Sequence, residues 1–537
     1  MKLPLTPLRC LLRAAQEYPS KVGVVDGDRR IPYSEFLDRT CRLAAGLKAL
    51  GIGPGDRVAS LSFNCHHLLE LYYGAPMARA ILLSLNVRLA PEEQTYILRH
   101  SGSKLVLFDP EFLPLAEALR AQRPELRWLS LQERADLPDW VERPGYEGLL
   151  AAAEPSEPDF TGYDEDAIAE LFYTSGSTGR PKGVMLSHRT LYMHAIGVLL
   201  GAQRLDGLRA ADKRVEMHSI PLFHANGWGR AHTVTLVGGR HVMLKRFEPK
   251  VVCELIEREG VTSFSMVPTM ATALLHCEEL DRYDLSSLEE ITLGGAASSP
   301  ALIRALEQRL GCRAVAGYGL TESGPVAATA HAKSSLGPLD DEERIRRQAM
   351  TGVGLPGAEM RVVDEQGAEV PRDLHTIGEV QIRGDLVMDG YWAEPEATAE
   401  AMDGTWLRTG DMACWDSERY VLIVDRKKDI IISGGENISS LEIEKVIAEL
   451  AAVGECAVIG VPDAKWGETP KAIVTLKPGC TATEQEIRDH VRAHLAHFKV
   501  PSSVEIRDEL PKGATGKILK RALREPYWAG LAKRVQG

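Results

Sequence analysis

Residues 173–189 read "YTSGSTGRPKGVMLSHR"; they follow the apolar pair Leu171-Phe172 and lead into a stretch that reads as a helix. From Thr174 to Gly183 the run holds three glycines, four hydroxyl side chains and one lysine. Successive N–H groups of a glycine-rich turn can point into one concavity, and hydroxyls plus a lysine complete an anion cradle. A polyphosphate suits such a cradle. The Walker pattern G-x-x-x-x-G-K-[ST] is nevertheless absent, because counting from Gly176 puts Pro181 where its second glycine belongs and Gly183 follows Lys182. An ordinary P-loop nucleotidase is therefore disfavoured, and the bland alternative is a flexible polar surface loop.

Outward from this stretch, strand and helix patterns alternate. From Ser34, read as an N-cap, Phe36, Thr40, Leu43, Leu47 and Leu50 step by fours and threes until Gly51 stops the pattern. A strand-like 57–61, a helical 68–80 and an apolar strand at 104–108 follow. The alternation resumes with a strand at 261–266, a helix at 301–310 and a strand at 313–316, which predicts a covered parallel sheet. Beyond about Gly352 the texture changes to short strands between turns, at 359–364, 378–383 and 420–424, as in a small barrel. A third texture starts near Asp425. There, 483–498 carries a capping box, Thr483 with Glu486, and an inward stripe of Ile487, Val491, Leu495 and Phe498, between strands at 456–461 and 472–476. The expected fold is α/β: a large N-terminal domain (1–424) of covered, mostly parallel sheets with a small β-barrel at about 352–424, then a smaller, mobile C-terminal α/β domain (425–537). The acidic segment 151–166 reads as a surface linker.

The chain has 537 residues, 44% of them apolar, and a formal charge of −12, which disfavours nucleic acid as a main partner. Its nine cysteines are scattered without a C-x-x-C pair and read as reduced thiols. Pro4, Pro7, Arg9 and Arg13 interrupt what a signal peptide would need, and no apolar run reaches membrane-spanning length, so the cytoplasm is the expected location. Gly352-Val-Gly-Leu-Pro-Gly357 matches G-x-G-x-x-G, but it follows a charged helix-like segment, contains Pro356 and leads into a strand, so it does not read as a dinucleotide site.

Five further stretches stand in order: Pro221-Leu-Phe-His-Ala-Asn-Gly227, Gly317-Tyr-Gly-Leu-Thr-Glu322, Thr409-Gly-Asp411, Asp425-Arg-Lys-Lys-Asp-Ile-Ile-Ile-Ser-Gly-Gly-Glu-Asn437 and Leu510-Pro-Lys-Gly-Ala-Thr-Gly-Lys517. With the opening stretch they resemble, over essentially the whole chain, the adenylate-forming superfamily of acyl-CoA synthetases, luciferases and peptide-synthetase adenylation domains. The wording is most like bacterial medium- or long-chain fatty-acyl-CoA ligases. The resemblance implies an AMP-forming acid–thiol ligase using ATP, Mg²⁺ and CoA. Thr174, Ser175, Gly176, Ser177, Thr178, Gly179 and Lys182 would hold the β- and γ-phosphates. Gly295, Ala296, Gly317, Tyr318 and Gly319 would border the adenine, Asp411 and Arg426 the ribose. Thr321 would donate to the α-phosphate, and Glu322 would ligate Mg²⁺. Lys517 would bridge the attacking carboxylate and the α-phosphate. Asp425 matches the family's hinge, and Ser433, Gly434 and Gly435 would line the CoA passage.

For the acid, the resemblance implies His224, Trp228, Val267 and Gly294 as pocket residues, with Trp228 at the spacing of a tunnel gate in fatty-acyl members. A satisfied core histidine and a packed core tryptophan are the structural alternatives at His224 and Trp228. A fatty acid is the expected substrate; a small sulfur-containing or aromatic acid, or a carrier protein in place of CoA, stays open. No carrier domain follows Lys517, which favours free CoA. A catalytically dead acyl-nucleotide sensor is disfavoured by the joint presence of Lys182, Glu322, Asp411 and Lys517. A homodimer through the larger portion is expected by analogy.

Overall fold

The computed structural model describes residues 3–175, 180–202, 211–433, 436–463, 465–512 and 518–529. The chain divides into two compact units, 1–360 with 381–408, and 361–380 with 409–537.

In the first unit, the described residues of the quoted stretch before His188 belong to two paired strands. Strand β1 (Ile168–Ser175) pairs antiparallel with β2 (Pro181–Ser187), setting Thr174 opposite Lys182 and Ser175 opposite Pro181. Helix α1 (His188–Ala202) starts only after β2. The expected direct passage from loop to helix is thus corrected: Val184 and Leu186 are buried, and the open ladder of β1 takes up the segment as a strand before a helical turn can form. On its other side β1 continues into four parallel strands, Ile81–Ser84, Arg57–Leu61, Leu105–Phe108 and Arg127–Ser130. Their near-continuous apolar runs suit a sheet covered on both faces.

The second sheet is centred on the parallel strands β3 (Val215–His218), β4 (Ser263–Met266), β5 (Glu290–Leu293) and β6 (Arg313–Tyr318). Register places Glu216 beside Ser263, Ser263 beside Glu290, and Ser265 beside Thr292. Side chains alternate across a strand, so one face presents Met217, Phe264, Met266, Ile291 and Leu293 to an apolar core. The other face presents Glu216, Ser263, Ser265, Glu290 and Thr292. Helix α2 (Arg230–Leu236) begins against that polar face, where Arg230 reaches Thr292.

The amphipathic helix near the start spans Tyr33–Ala49, two residues earlier than its pattern indicates, with Pro32 rather than Ser34 at the N-cap. Thr40, out of pattern, is buried because its hydroxyl donates to Phe36 O at 2.7 Å.

In the second unit, β7 (Trp406–Trp415, from Thr409 onward) pairs antiparallel with β8 (Val421–Arg426). The short strands expected at 359–364 and 378–383 are present as Glu359–Val363 and Gly378–Arg383. Among the described residues a further sheet joins Glu436–Ile438, Ile431–Ser433, Gly467–Leu476 and Val453–Asp463, with Ser503–Ile506 parallel to Gly467–Leu476. Helix α3 (Ser440–Ala448) and helix α4 (Glu484–His494) pack on its core. The Thr483–Glu486 capping box is present, and Ile487 and Val491 are buried. The stripe ends sooner than expected: Leu495 turns extended, and Phe498 lies exposed in a separate turn. The nine cysteines form no disulfide; five are buried and Cys480 is exposed. Among the described residues no helix is long and apolar enough to cross a membrane.

Candidate active site

Of the expected phosphate-binding residues, Thr174 and, through Tyr391, Lys182 lie around Glu322. It sits on the single 3-10 turn Thr321–Ser323, directly after β6, with its backbone O accepting from Met388 N at 2.9 Å. Its Oε1 accepts from Tyr391 OH at 3.0 Å and from Thr174 Oγ1 at 3.4 Å. Lys182 Nζ lies 5.0 Å from the Tyr391 ring centre. Tyr391 thus touches both the carboxylate and the ammonium side of the site. Burial, reinforced by the Glu322 charge, raises the Tyr391 phenol well above its ordinary range, so it stays a proton donor. Among the described residues, both hydrogen-bond partners of the Glu322 carboxylate are hydroxyls, not cations. A half-buried carboxylate oxygen of this kind fits Mg²⁺, a hard cation that prefers oxygen ligands. Gly176, Ser177, Thr178 and Gly179 lie outside the described residues.

The end of β6 carries Gly317, Tyr318 and Gly319, with Gly317 opposite Thr329 and Tyr318 opposite Ala328. A Cβ at Gly319 would run into the backbone oxygen of Pro325, which accounts for glycine there. Thr321 is buried. Beyond β5, Gly295 turns at φ +75 and is exposed with Ala296, while Gly294 is buried. A Cβ on Gly294 would stand 2.8 Å from the Trp228 ring and 3.3 Å from Gly317 O. Trp228, Gly294 and Gly317 therefore meet.

Trp228 reaches this position through an unusual backbone. Five consecutive residues have positive φ: Ala225 (45), Asn226 (43), Gly227 (60), Trp228 (60) and Gly229 (79). Left-handed geometry costs about 1–2 kcal/mol for each non-glycine residue, so neighbouring contacts must hold it. Asn226 Nδ2 donates to Glu170 Oε2 at 2.9 Å, and His232 Nε2 donates to Glu170 Oε1 at 2.6 Å, all fully buried. At the far end Gly229 abuts the His194 ring, whose Nε2 accepts from Val326 N at 3.0 Å. Burial holds His194 neutral, lowering it to about 3. Strand β1, helix α1 and helix α2 thus fix the turn from three sides. Trp228 is buried with Val198, Ile220, Val326 and Leu355, and Val267 and Met270 pack beside them. Three of the four expected pocket residues, Trp228, Val267 and Gly294, come together. His224 is half-buried at the start of the turn, its carbonyl accepting from Gly227 N at 3.1 Å.

In the second unit, Asp411 on β7 faces Arg426 on β8, and Arg426 Nε lies 2.6 Å from Asp411 Oδ1. Asp411 is buried, so the pair presents a fixed acceptor. Asp425 is a buried strand residue rather than a turn residue. Its Oδ2 accepts from Ser440 N at 2.6 Å and from Ser440 Oγ at 2.5 Å, tying β8 to the start of α3. Ser433 closes the strand Ile431–Ser433. Gly434, Gly435 and Lys517 lie outside the described residues.

Sequence reasoning missed Tyr391, Glu170, Asn226, His194 and Arg230. Glu170 alone gave a signal, an acid inside the apolar run Ile168–Phe172.

A carboxylate with hydroxyl partners beside a buried apolar cluster around Trp228 is compatible with an enzyme that joins a carboxylic acid to a nucleotide. Comparison with known proteins agrees. The AMP-binding enzyme family matches residues 11–392, and the AMP-binding enzyme C-terminal domain family matches residues 442–517. The chain belongs to this adenylate-forming family. It is similar to a long-chain-fatty-acid–CoA ligase of Thermus thermophilus, 40% identical over 93% of this chain and 90% of that one. It is also similar to a peroxisomal butyrate–CoA ligase of Arabidopsis thaliana, 36% identical over 97% of this chain and 93% of the relative. Among solved structures, an anthranilate–CoA ligase in complex with anthranoyl-AMP superposes with a TM-score of 0.86 at 27% identity, covering 98% of each chain. The protein is an AMP-forming acid–thiol ligase that uses ATP, Mg²⁺ and CoA.

Proposed function

We propose that this ligase activates an aliphatic, fatty carboxylic acid and passes it to free CoA. The reading rests on Glu322, Thr174, Tyr391 and Lys182 gathering at one end of β1 and β6, with the apolar cluster around Trp228 at the neighbouring strand end. A carboxylate oxygen attacks the α-phosphorus and pyrophosphate leaves; a thiol then attacks the acyl carbon and AMP leaves. The first step demands positioning and charge neutralisation. Thr174, Ser175, Gly176, Ser177, Thr178, Gly179 and Lys182 hold the departing pyrophosphate. Thr321 orients the α-phosphate, and Glu322 holds Mg²⁺, which neutralises phosphate charge when bound. Tyr318, Gly317, Gly319, Gly295 and Ala296 border the adenine, and the Asp411–Arg426 pair takes the ribose hydroxyls. His224 stands beside the acid carboxylate, with Trp228, Val267 and Gly294 around its chain.

Lys517 supplies the cation for adenylation, and rotation about Asp425 replaces it with the Ser433-Gly434-Gly435 loop for thioester formation. A cation about 4 Å from the developing charge, at an effective dielectric near 20, contributes about 4 kcal/mol, close to three decades of rate. Lys517→Ala is therefore expected to abolish acyl-AMP formation while sparing thioester formation from supplied acyl-AMP; pyrophosphate release at the wild-type rate would refute that role. The identity of the relatives supports the aliphatic acid, and a cytoplasmic location and a homodimer complete the reading. Loading of a carrier protein is the second reading, separated by whether free CoA suffices as acceptor.

A further inference from the structure

Among the described residues two groups bring three metal-ligating side chains together, with one ligand atom of each within 4.8 Å of the others: His66, His67 and Glu147, and Glu449, His490 and His494. Arginine already fills the first. Arg29 Nη1 lies 3.1 Å from His66 Nε2 and 3.4 Å from Glu147 Oε1, and Arg39 takes both oxygens of Glu147 at 2.8 and 2.9 Å. The second, in the C-terminal unit, is different. Basic side chains of the neighbouring segments are paired elsewhere, Arg488 with Glu484, Arg492 with Asp489 and Lys499 with Glu442, and none of these pairs with Glu449.

Spacing in the sequence brings the second group together. His490 and His494 stand four residues apart on α4, so their rings emerge from one face a turn apart, with ring centres 4.4 Å from each other. Each ring is oriented by a backbone carbonyl: His490 Nε2 donates to Val446 O of α3 at 3.1 Å, and His494 Nδ1 donates to His490 O at 2.8 Å. A neutral imidazole that donates through one nitrogen keeps a lone pair on the other, and such an outer hydrogen bond fixes the tautomer of metal-ligating histidines. The His490 bond also draws α4 against the end of α3, where Glu449 follows the last helical residue, Ala448. Both helices end here, α3 at Ala448 and α4 at His494, and helix C-termini favour a positive charge.

Two imidazoles and one carboxylate select the metal. Mg²⁺ prefers oxygen ligands in near-ideal octahedral geometry, whereas Zn²⁺ takes two histidines, a carboxylate and a water. Ligand atoms about 2.0–2.2 Å from one tetrahedral centre lie about 3.4 Å apart, so side chains already within 4.8 Å need only a small rotation to share it. Glu449 and His494 are exposed and His490 is half-buried, so an ion reaches them from solvent. We propose that Glu449, His490 and His494 form a Zn²⁺ site that clasps the end of α3 to the last turn of α4, separate from the residues assigned to ATP, Mg²⁺, CoA and the acid. Asp425 holds the other end of α3 through Ser440, so the ion fixes this helix at both ends.

The test is calorimetric titration of the untagged, metal-stripped full chain with Zn²⁺ in buffer containing Mg²⁺, beside the variants His494→Ala and Glu449→Gln. Wild type is expected to bind one Zn²⁺ at this site, and each variant to raise its Kd at least about 10-fold, since loss of an outer partner alone costs about 10- to 100-fold. Both substituted side chains are exposed, so the variants should fold, and unchanged urea midpoints in the absence of zinc check this. Cys480 is an exposed thiol that competes for zinc. Co²⁺ separates the two: the proposed nitrogen and oxygen ligands give visible d–d bands without a sulfur-to-metal charge-transfer band, and the bands disappear in His494→Ala. No saturable binding by wild type, an affinity unchanged in both variants, or a Co²⁺ spectrum dominated by sulfur charge transfer overturns the proposal.

Discussion

Asn226→Ala tests whether the left-handed turn is held as described. Asn226 Nδ2 donates to the buried Glu170 carboxylate at 2.9 Å, a bond to a charged acceptor worth about 1.5–3 kcal/mol. Alanine at φ 43 adds about 1 kcal/mol of steric strain that asparagine tolerates better. The expected loss is about 2.5–4 kcal/mol, read by urea denaturation. Asn226→Gly loses the same bond without the strain, so it should be about 1 kcal/mol more stable than the alanine variant. Since Trp228 follows within two residues, both variants should raise KM for the acid while leaving KM for ATP near wild type. A loss below about 1 kcal/mol in both variants, or an unchanged KM for the acid, would show that the Glu170 bond does not hold the turn.

Glu322→Gln keeps an acceptor for Tyr391 and Thr174 but removes the charge; adenylation is expected to fall about 10²–10³-fold with stability within about 1 kcal/mol, and a rate within threefold of wild type would exclude Glu322 as the metal ligand. Gly294→Val places a Cβ 2.8 Å from the Trp228 ring, so activity should shift toward the shortest acids in a chain-length series, and an unchanged profile would separate Trp228 from the acid. Burial lowers His188 and His194 to about 3 and His218 to about 4, below the ordinary 6.5. The unfolded chain then binds more protons, so stability is full above about 6.5 and is lost as pH falls toward these folded values. Each histidine contributes up to about 1.4 kcal/mol per pH unit, and the urea midpoint should drop between pH 7 and pH 5; a flat midpoint would mean these rings are not held neutral.

The order of strands and helices was legible because buried parallel strands carry unbroken apolar runs, as at Leu105–Phe108, and surface helices carry the 3.6-residue stripe, as at Tyr33–Ala49. The phosphate-loop motif was legible as chemistry but not as shape: residues 181–187 pair with β1, a choice that this segment does not encode alone. The early end of α4 was hidden because Leu495 and Phe498 continue the periodicity after the backbone has left it. Trp228 was found by its spacing, yet the left-handed path that delivers it depends on Glu170, more than fifty residues upstream. Tyr391 gave no signal, since a tyrosine in a short strand reads as packing until its hydroxyl is seen on Glu322.

The central claim is that a carboxylate is first joined to AMP and only then to sulfur. The most direct measurement is the fate of ¹⁸O-labelled acid with ATP, Mg²⁺ and CoA. The account predicts one label in each AMP formed and none in pyrophosphate, with ATP–pyrophosphate exchange proceeding before any CoA is added. Label in an inorganic phosphate product, or exchange that requires CoA, would contradict it.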